Sequence, residues 1–216
     1  MKLSAETIAI LKNFAAINQG LAFKPGSVIR TMHPQKTVMA TAKVTETFEN
    51  RACVYDLSRF LATLSLFDDP NIEFKEDRFV ISSDNKRVSY TYAAEAMIVT
   101  PPEKELNFPT PDATVEVKWK DLDSVIRAAG VLKLSEIAFI SNGSMITLSA
   151  TDSKNSTSDV YDVIVAEDLD IPSFRMIIKV ENLRVMPNDY TVSLSAKGLA
   201  RFTSHKVEYF IALDAK

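Results

Sequence analysis

The residues best suited to chemistry in this chain are two histidines, one cysteine and a pair of adjacent aspartates. His33 and His205 stand apart, and neither falls in an HExxH or Cys/His spacing that could hold zinc. Cys53 sits in the apolar stretch "ACVY" and reads as a buried, inert thiol in preference to a nucleophile. Asp68 and Asp69 precede Pro70, but no further oxygen ligands follow at the spacing of a cation loop, so a solvated turn is the simpler reading. The five glycines form neither a P-loop nor a GxGxxG turn. No catalytic residue, metal or cofactor is therefore expected, and the odds move from enzyme to binding or scaffolding protein.

The remaining chemistry is cationic. The stretch "WKDLDSVIRAAGVLK", residues 119 to 133, has amphipathic helical spacing, with Lys120, Ser124 and Arg127 on its wet face. Lys118 precedes it and Lys133 closes it. A first helix carries Lys12 beside Ala9 and Ala16. A second carries Arg59 beside Ser58, Ala62 and Thr63. A fourth, "ENLRVM", carries Arg184, with Lys179 before it. On any one helix a mixed charged face is ordinary solvated surface. A basic residue among small neighbours recurs in all four, which favours a function, although Asp121, Asp123 and Glu181 lie close by.

The elements holding these positions fall into two halves. The chain has 216 residues, 46% hydrophobic and 25% charged, with a net charge of -3, which suits one large domain or two smaller ones. "TPPEKELNFPTPD", residues 100 to 112, holds Pro101, Pro102, Pro109 and Pro111, four of the nine prolines. It must be extended and non-helical, and it reads as an interdomain connector over 101–112 between domains 1–100 and 113–216. In the first half, Ser4 is the N-cap of a helix through Ile8, Leu11, Ala15 and Ile17 that Gly20 stops, and Asp56 starts a second helix. In the second half a helix from Asp121 ends at Gly130, and Pro187 ends the short helix "ENLRVM". Each half reads as strand, helix and strands, twice over, which suggests a duplicated unit. No apolar run is long enough to cross a bilayer, so no membrane partner is expected. A single cysteine fits a reducing cytoplasm.

Several stretches in fixed order resemble one family. "MKLS" and "LKNFAAINQG" (Leu11 to Gly20), "YDLSRFLATLSL" from Tyr55, "VKWKDLDSVIRAAGVL", "LRVMPNDYTVSLSAKG" and "VEYFIALDAK" are similar to the sliding clamp, or DNA polymerase processivity factor, of T-even-type bacteriophages. The connector and the final strand also resemble proliferating cell nuclear antigen. The resemblance implies an α+β DNA-clamp fold: two similar domains with antiparallel sheet outside and two helices each inside, assembled head to tail into a homotrimeric ring around duplex DNA. It implies no enzymatic activity. The implied partners are duplex DNA without sequence preference, the C-terminal peptide of the replicative DNA polymerase, a clamp-loader complex and late-transcription factors, in the cytoplasm of an infected bacterial host.

Helices pack about 8–10 Å apart. At four helices per chain, two copies leave a bore of roughly 15 Å and three copies roughly 28 Å. B-DNA is about 20 Å across, so three copies fit. The DNA-facing candidates are Lys120 and Arg127 first, then Lys12, Arg59, Arg184, Lys118, Lys133 and Lys179. A few separated cations can centre DNA without fixing a register. The resemblance also implies a partner-peptide groove beside the connector, with Met32, Leu106, Phe108, Ala212 and Leu213 as candidates; core packing competes with this reading for Phe108 and Leu213. Edge strands near residues 87–93 and 156–163 are candidate subunit contacts. The rival reading is an interaction adaptor that uses the groove and encloses no DNA.

Overall fold

A computed structural model describes residues 1–104, 106–155 and 157–214. The chain divides into two compact units, Met1–Lys104 and Glu105–Lys216, with the boundary inside the proline-rich 101–112 stretch. Glu105 in that stretch, Ser156 in the candidate edge segment and the last two residues of "VEYFIALDAK" lie outside the described residues.

The first unit opens with α1 (Ala5–Ile17), which buries Ile10, Leu11, Phe14 and Ile17 on one face. Its start is capped as the sequence suggests: the Ser4 hydroxyl accepts from Thr7 N at 3.2 Å. Glu46, from a distant strand, accepts from Ser4 N and, at 2.5 Å, from the Thr7 hydroxyl. The expected stop at Gly20 is corrected to Asn18. This buried side chain accepts from Gly20 N and donates to Met32 O and Val99 O, each at 2.9 Å. Gly20 answers a packing need, since a Cβ there would meet the Ile98 side chain at 3.1 Å.

β1 (Leu21–Phe23), β2 (Gly26–Met32), β3 (Val38–Phe48) and β4 (Ala52–Val54) follow, with β1 paired to β4 and β2 to β3, all antiparallel. α2 (Leu57–Leu64) is capped by Asp56, whose carboxylate accepts from Arg59 N at 2.8 Å. β5 (Asn71–Phe74), β6 (Arg78–Ser83) and β7 (Lys86–Thr91) form an antiparallel sheet in that order. Phe60 of α2 packs into an aromatic cluster, with Phe79 at 4.9 Å and Tyr90 at 5.4 Å between ring centres. That contact buries one face of α2 and turns Arg59 outward.

The second unit contains β8 (Ala113–Val117), α3 (Trp119–Leu132), β9 (Glu136–Ser141), β10 (Ile146–Thr151), β11 (Tyr161–Ala166) and β12 (Phe174–Lys179). β13 (Tyr190–Ser195), β14 (Leu199–Thr203) and β15 (Val207–Ala212) complete it. Four strands form an antiparallel sheet in the order β11-β10-β9-β12. β15, β14, β13 and β8 are also joined as antiparallel neighbours. Asn142-Gly143 turns β9 into β10, and Gly143 takes the positive φ of 105° that the turn requires. α3 buries Leu122, Val125 and Ala129. Phe139, Phe202, Tyr190 and Tyr209 stack edge to face inside the unit. Burial pushes the Tyr190 phenol up to about 12.

In the second unit, both ends of α3 and the fourth helix differ from expectation: α3 starts at Trp119, before Asp121. α3 runs through Gly130 to Leu132, and Lys133 ends it in the left-handed conformation, φ 56°. The fourth helix is absent as an α-helix: the chain makes one 3-10 turn at Val180–Asn182, and Arg184 lies beyond it. Seven residues separate β12 from Pro187, Lys179 provides no side-chain cap, and the helix has too little length to nucleate. The described residues therefore hold two α-helices in the first unit and one in the second.

Candidate functional site

All eight candidate DNA-facing residues are exposed: Lys12, Arg59, Lys118, Lys120, Arg127, Lys133, Lys179 and Arg184. Local folding explains why. On α1, α2 and α3 the apolar positions take the inward face, which leaves Lys12, Arg59, Lys120 and Arg127 on the other. Small exposed neighbours, Ala9 and Ala16 on α1 and Ser58 and Ala62 on α2, keep approach to these cations open.

Their electrostatic states differ. Arg127 is held by Asp123 one helical turn earlier, and that hydrogen bond, with the carboxylate's charge, raises its pKa. Lys118 pairs with Asp189 at 3.0 Å, and its pKa rises for the same two reasons. Asp189 also accepts from Trp119 N at 2.8 Å, so it caps α3 from far along the chain. The Trp119 N–H, then the Lys118 ammonium, lower its pKa. Lys179 faces Asp214 at 3.8 Å, and Arg184 Nε donates to Glu181 O at 2.8 Å. Lys12, Arg59, Lys120 and Lys133 belong to no ion pair among the described residues. Ser124, expected on the wet face, is half-buried and shares a 2.7 Å hydrogen bond with the Tyr161 hydroxyl on β11.

The five groove candidates separate. Met32 is half-buried on β2 in the first unit, and Leu106 is exposed. Phe108 packs against Phe210, ring centres 6.3 Å apart, with the Arg201 guanidinium 4.9 Å from its ring centre. Ala212 ends β15, half-buried. Leu213 lines a groove of about 520 Å³ in the second unit with Phe174, Met176, Gly198, Arg175 and Lys197. These last five were missed by sequence reasoning. Phe174 and Met176 alternate on β12 in a two-residue period that marks one face, but pairing with the 196–198 turn is non-local.

Among the described residues no three His, Cys, Asp or Glu side chains cluster as metal ligands. Cys53 is buried, and burial, then the Glu95 charge, raises its thiol pKa away from nucleophilic use. Among the described residues no helix is long and apolar enough to cross a membrane.

The chain is similar to known proteins along its whole length. Residues 4–100 match the family described as DNA polymerase processivity factor, and residues 114–215 match gp45 sliding clamp, C terminal. The sliding clamp of Vibrio phage KVP40 is 37% identical over the whole of both chains. That of Escherichia phage RB69 is 31% identical, over all of this chain and 97% of that one. In three dimensions the chain superposes on A. fulgidus PCNA, solved with the C-terminal region of FEN-1, with a TM-score of 0.70 at 16% identity, over 97% of this chain and 95% of that one. It superposes on the H. pylori beta clamp with a TM-score of 0.71 at 12% identity, over 100% of this chain but 65% of that one. The chain belongs to the bacteriophage sliding-clamp family, the non-enzymatic processivity factors of phage DNA polymerases.

Proposed function

We propose that three copies of this chain close head to tail into a ring that encircles duplex DNA and tethers the replicative polymerase. An ATP-driven loader opens and places the ring, and the loaded ring also serves as a mobile activator of late transcription, all within the cytoplasm of the infected host. The observation that carries this reading is the set Lys12, Arg59, Lys120 and Lys133: exposed cations, without ion-pair partners among the described residues, on a chain of net charge -3. Separated cations attract phosphate without reading bases, which is what a sliding contact needs. The partner side is served by the Leu213 groove. Its Phe174, Met176 and Leu213 offer apolar lining to a peptide tail, and Arg175, Lys197 and Asp214 line it with charge of both signs.

The sequence-based bore estimate needed four helices per chain, and with three it no longer selects three copies. The copy number rests instead on the family and on relative length. The chain spans 65% of the H. pylori beta clamp chain but 95% of A. fulgidus PCNA, so a ring of given circumference takes more copies of it than of the longer chain. Light scattering over a concentration series tests this. A species of about 72 kDa, three times the 24.0 kDa chain, that is retained on circular DNA and lost from linear ends is the expected result. A persistent monomer would refute the ring and favour the adaptor, which uses the groove alone.

A further inference from the structure

The ladder between β8 and β13 decides what stands at the start of α3. Tyr190 pairs with Val117 and Thr191 with Glu116, so the next residues outward, Asp189 and Lys118, meet where the two strands end. Tyr190 anchors that end: it is buried, and its hydroxyl donates to Met186 O at 2.6 Å. Pro187 restricts the backbone between the two. Asp189 is thus held on a short tether, exposed, beside the first turn of a helix whose outward face carries Lys120 and Arg127.

The two carboxylate oxygens of Asp189 meet different needs. Oδ1 accepts from Trp119 N at 2.8 Å, and Lys118, at the N-cap position, makes no side-chain cap bond of its own. That need is for an acceptor, and a neutral amide oxygen would meet it as well. Oδ2 accepts from the Lys118 ammonium at 3.0 Å, and the charge of Lys120 acts on the same carboxylate. Glu116 adds a second negative charge that acts on Lys118, while its own carboxylate accepts from the Thr191 hydroxyl at 2.6 Å. Capping alone therefore accounts for one oxygen of Asp189 and not for its charge.

We infer that Asp189 is a positioning residue for the sliding contact: it gives Lys118, and Lys120 through its charge, a fixed anion to return to on leaving a phosphate, and so lowers the drag of the ring on DNA. The inference rests on the DNA-encircling reading above and adds a carboxylate to it. A lysine with no such partner leaves a phosphate for water and salt ions alone, and each contact of that kind deepens the well that holds the ring in place. An exposed carboxylate–ammonium pair is worth at most about fivefold in an equilibrium constant. That is enough to compete with one phosphate contact and too little to keep the lysine from the next one. Because phosphates carry no sequence information, the exchange is the same at every step along the duplex.

The test is to follow the full chain, labelled and threaded over the free end of a linear duplex that is then blocked, and to measure its one-dimensional diffusion over a salt series. Asp189→Asn keeps an acceptor for Trp119 N and removes the charge. It is expected to keep the parent's urea midpoint and assembled mass but to diffuse about two- to fivefold more slowly at about 50 mM salt. The difference is expected to vanish towards about 1 M salt, where the screening length is about 3 Å. Asp189→Ala also loses the cap and is expected to lower the urea midpoint, which separates the structural role from the charge. In a Lys118→Ala/Lys120→Ala background, Asp189→Asn is expected to change diffusion little, because the lysines through which it acts are gone. If Asp189→Asn diffuses like the parent at every salt concentration, the inference is overturned while the ring stands. If it slows diffusion equally in the background without the two lysines, the carboxylate acts by repelling DNA directly and the inference is overturned as well. If the parent is not held on the blocked duplex at any salt concentration, the ring reading fails and takes this inference with it.

Discussion

Replacing Asp123 by Asn is expected to tighten the hold on DNA, and replacing Lys120 by Ala to loosen it. The two residues lie on the same helix, but their cations start from different states. Arg127, exposed at 77%, is engaged by Asp123, exposed at 21%, so contact with a phosphate must first displace or share that carboxylate. Lys120 belongs to no ion pair among the described residues, and its charge acts on Asp189 without a direct bond to it among those residues, so less has to be displaced before it meets a phosphate. Each phosphate contact contributes about 0.9 to the slope of log K against log salt. In a ring of three copies, loss of Lys120 removes at most about 2.7 from that slope. Between about 50 and 200 mM salt this amounts to a factor of up to about forty. Asp123→Asn keeps the side chain's shape and releases Arg127, so the slope steepens by up to the same amount. The Arg127 side of the pair is exposed and solvent-screened, so the pair contributes little to stability and folding stays intact. Retention on a circular duplex, measured over a salt series with the assembled mass checked by light scattering, reads both changes. Two variants with the parent's slope and the parent's mass would refute a DNA-facing α3. A shallower slope for Asp123→Asn would refute the account of Arg127 as a masked cation.

Three further perturbations test the frame that holds these side chains. In Glu46, burial raises the carboxyl pKa, but donation from the Thr7 hydroxyl and Ser4 N–H outweighs it, and the net value falls below the ordinary 4.5. The resulting stability is present above the ordinary value and disappears as pH falls through the lower folded value; Glu46→Gln is therefore expected to be less stable at neutral pH and to match the parent in acid, by thermal melts across pH. Tyr209→Phe removes the acceptor of Met186 N, 3.2 Å away, and is expected to cost about 1–3 kcal/mol in urea unfolding; an unchanged midpoint would refute the role of that bond. Asp56→Ala deletes the cap of α2 and is expected to cost about 1 kcal/mol, again by urea midpoint, with a wild-type midpoint counting against the cap.

The parts of the fold legible in the sequence are those governed by neighbours. Ser4 and Asp56 cap their helices through contacts three residues away, and Asn142-Gly143 turns a hairpin on its own backbone preference. The misplaced boundaries have distant causes. α3 starts earlier than Asp121 because Asp189, beyond β12, caps Trp119 N, and it passes Gly130 because Lys133 accepts the left-handed conformation instead. The site follows the same division. Which residues are cations, and that helical spacing turns them outward, is local information. Which cations already face a carboxylate is mostly not: Asp189 and Asp214 stand beside Lys118 and Lys179 across the fold, whereas Asp123, one turn from Arg127, is readable by spacing. Phe174 and Met176 were invisible as groove residues because the 196–198 turn and Leu213 come to them from other strands. A count of basic residues therefore overstates the surface field of this clamp. The charge left to meet a phosphate is the count less what the fold has already paired, and on that measure Lys120 ranks ahead of Arg127.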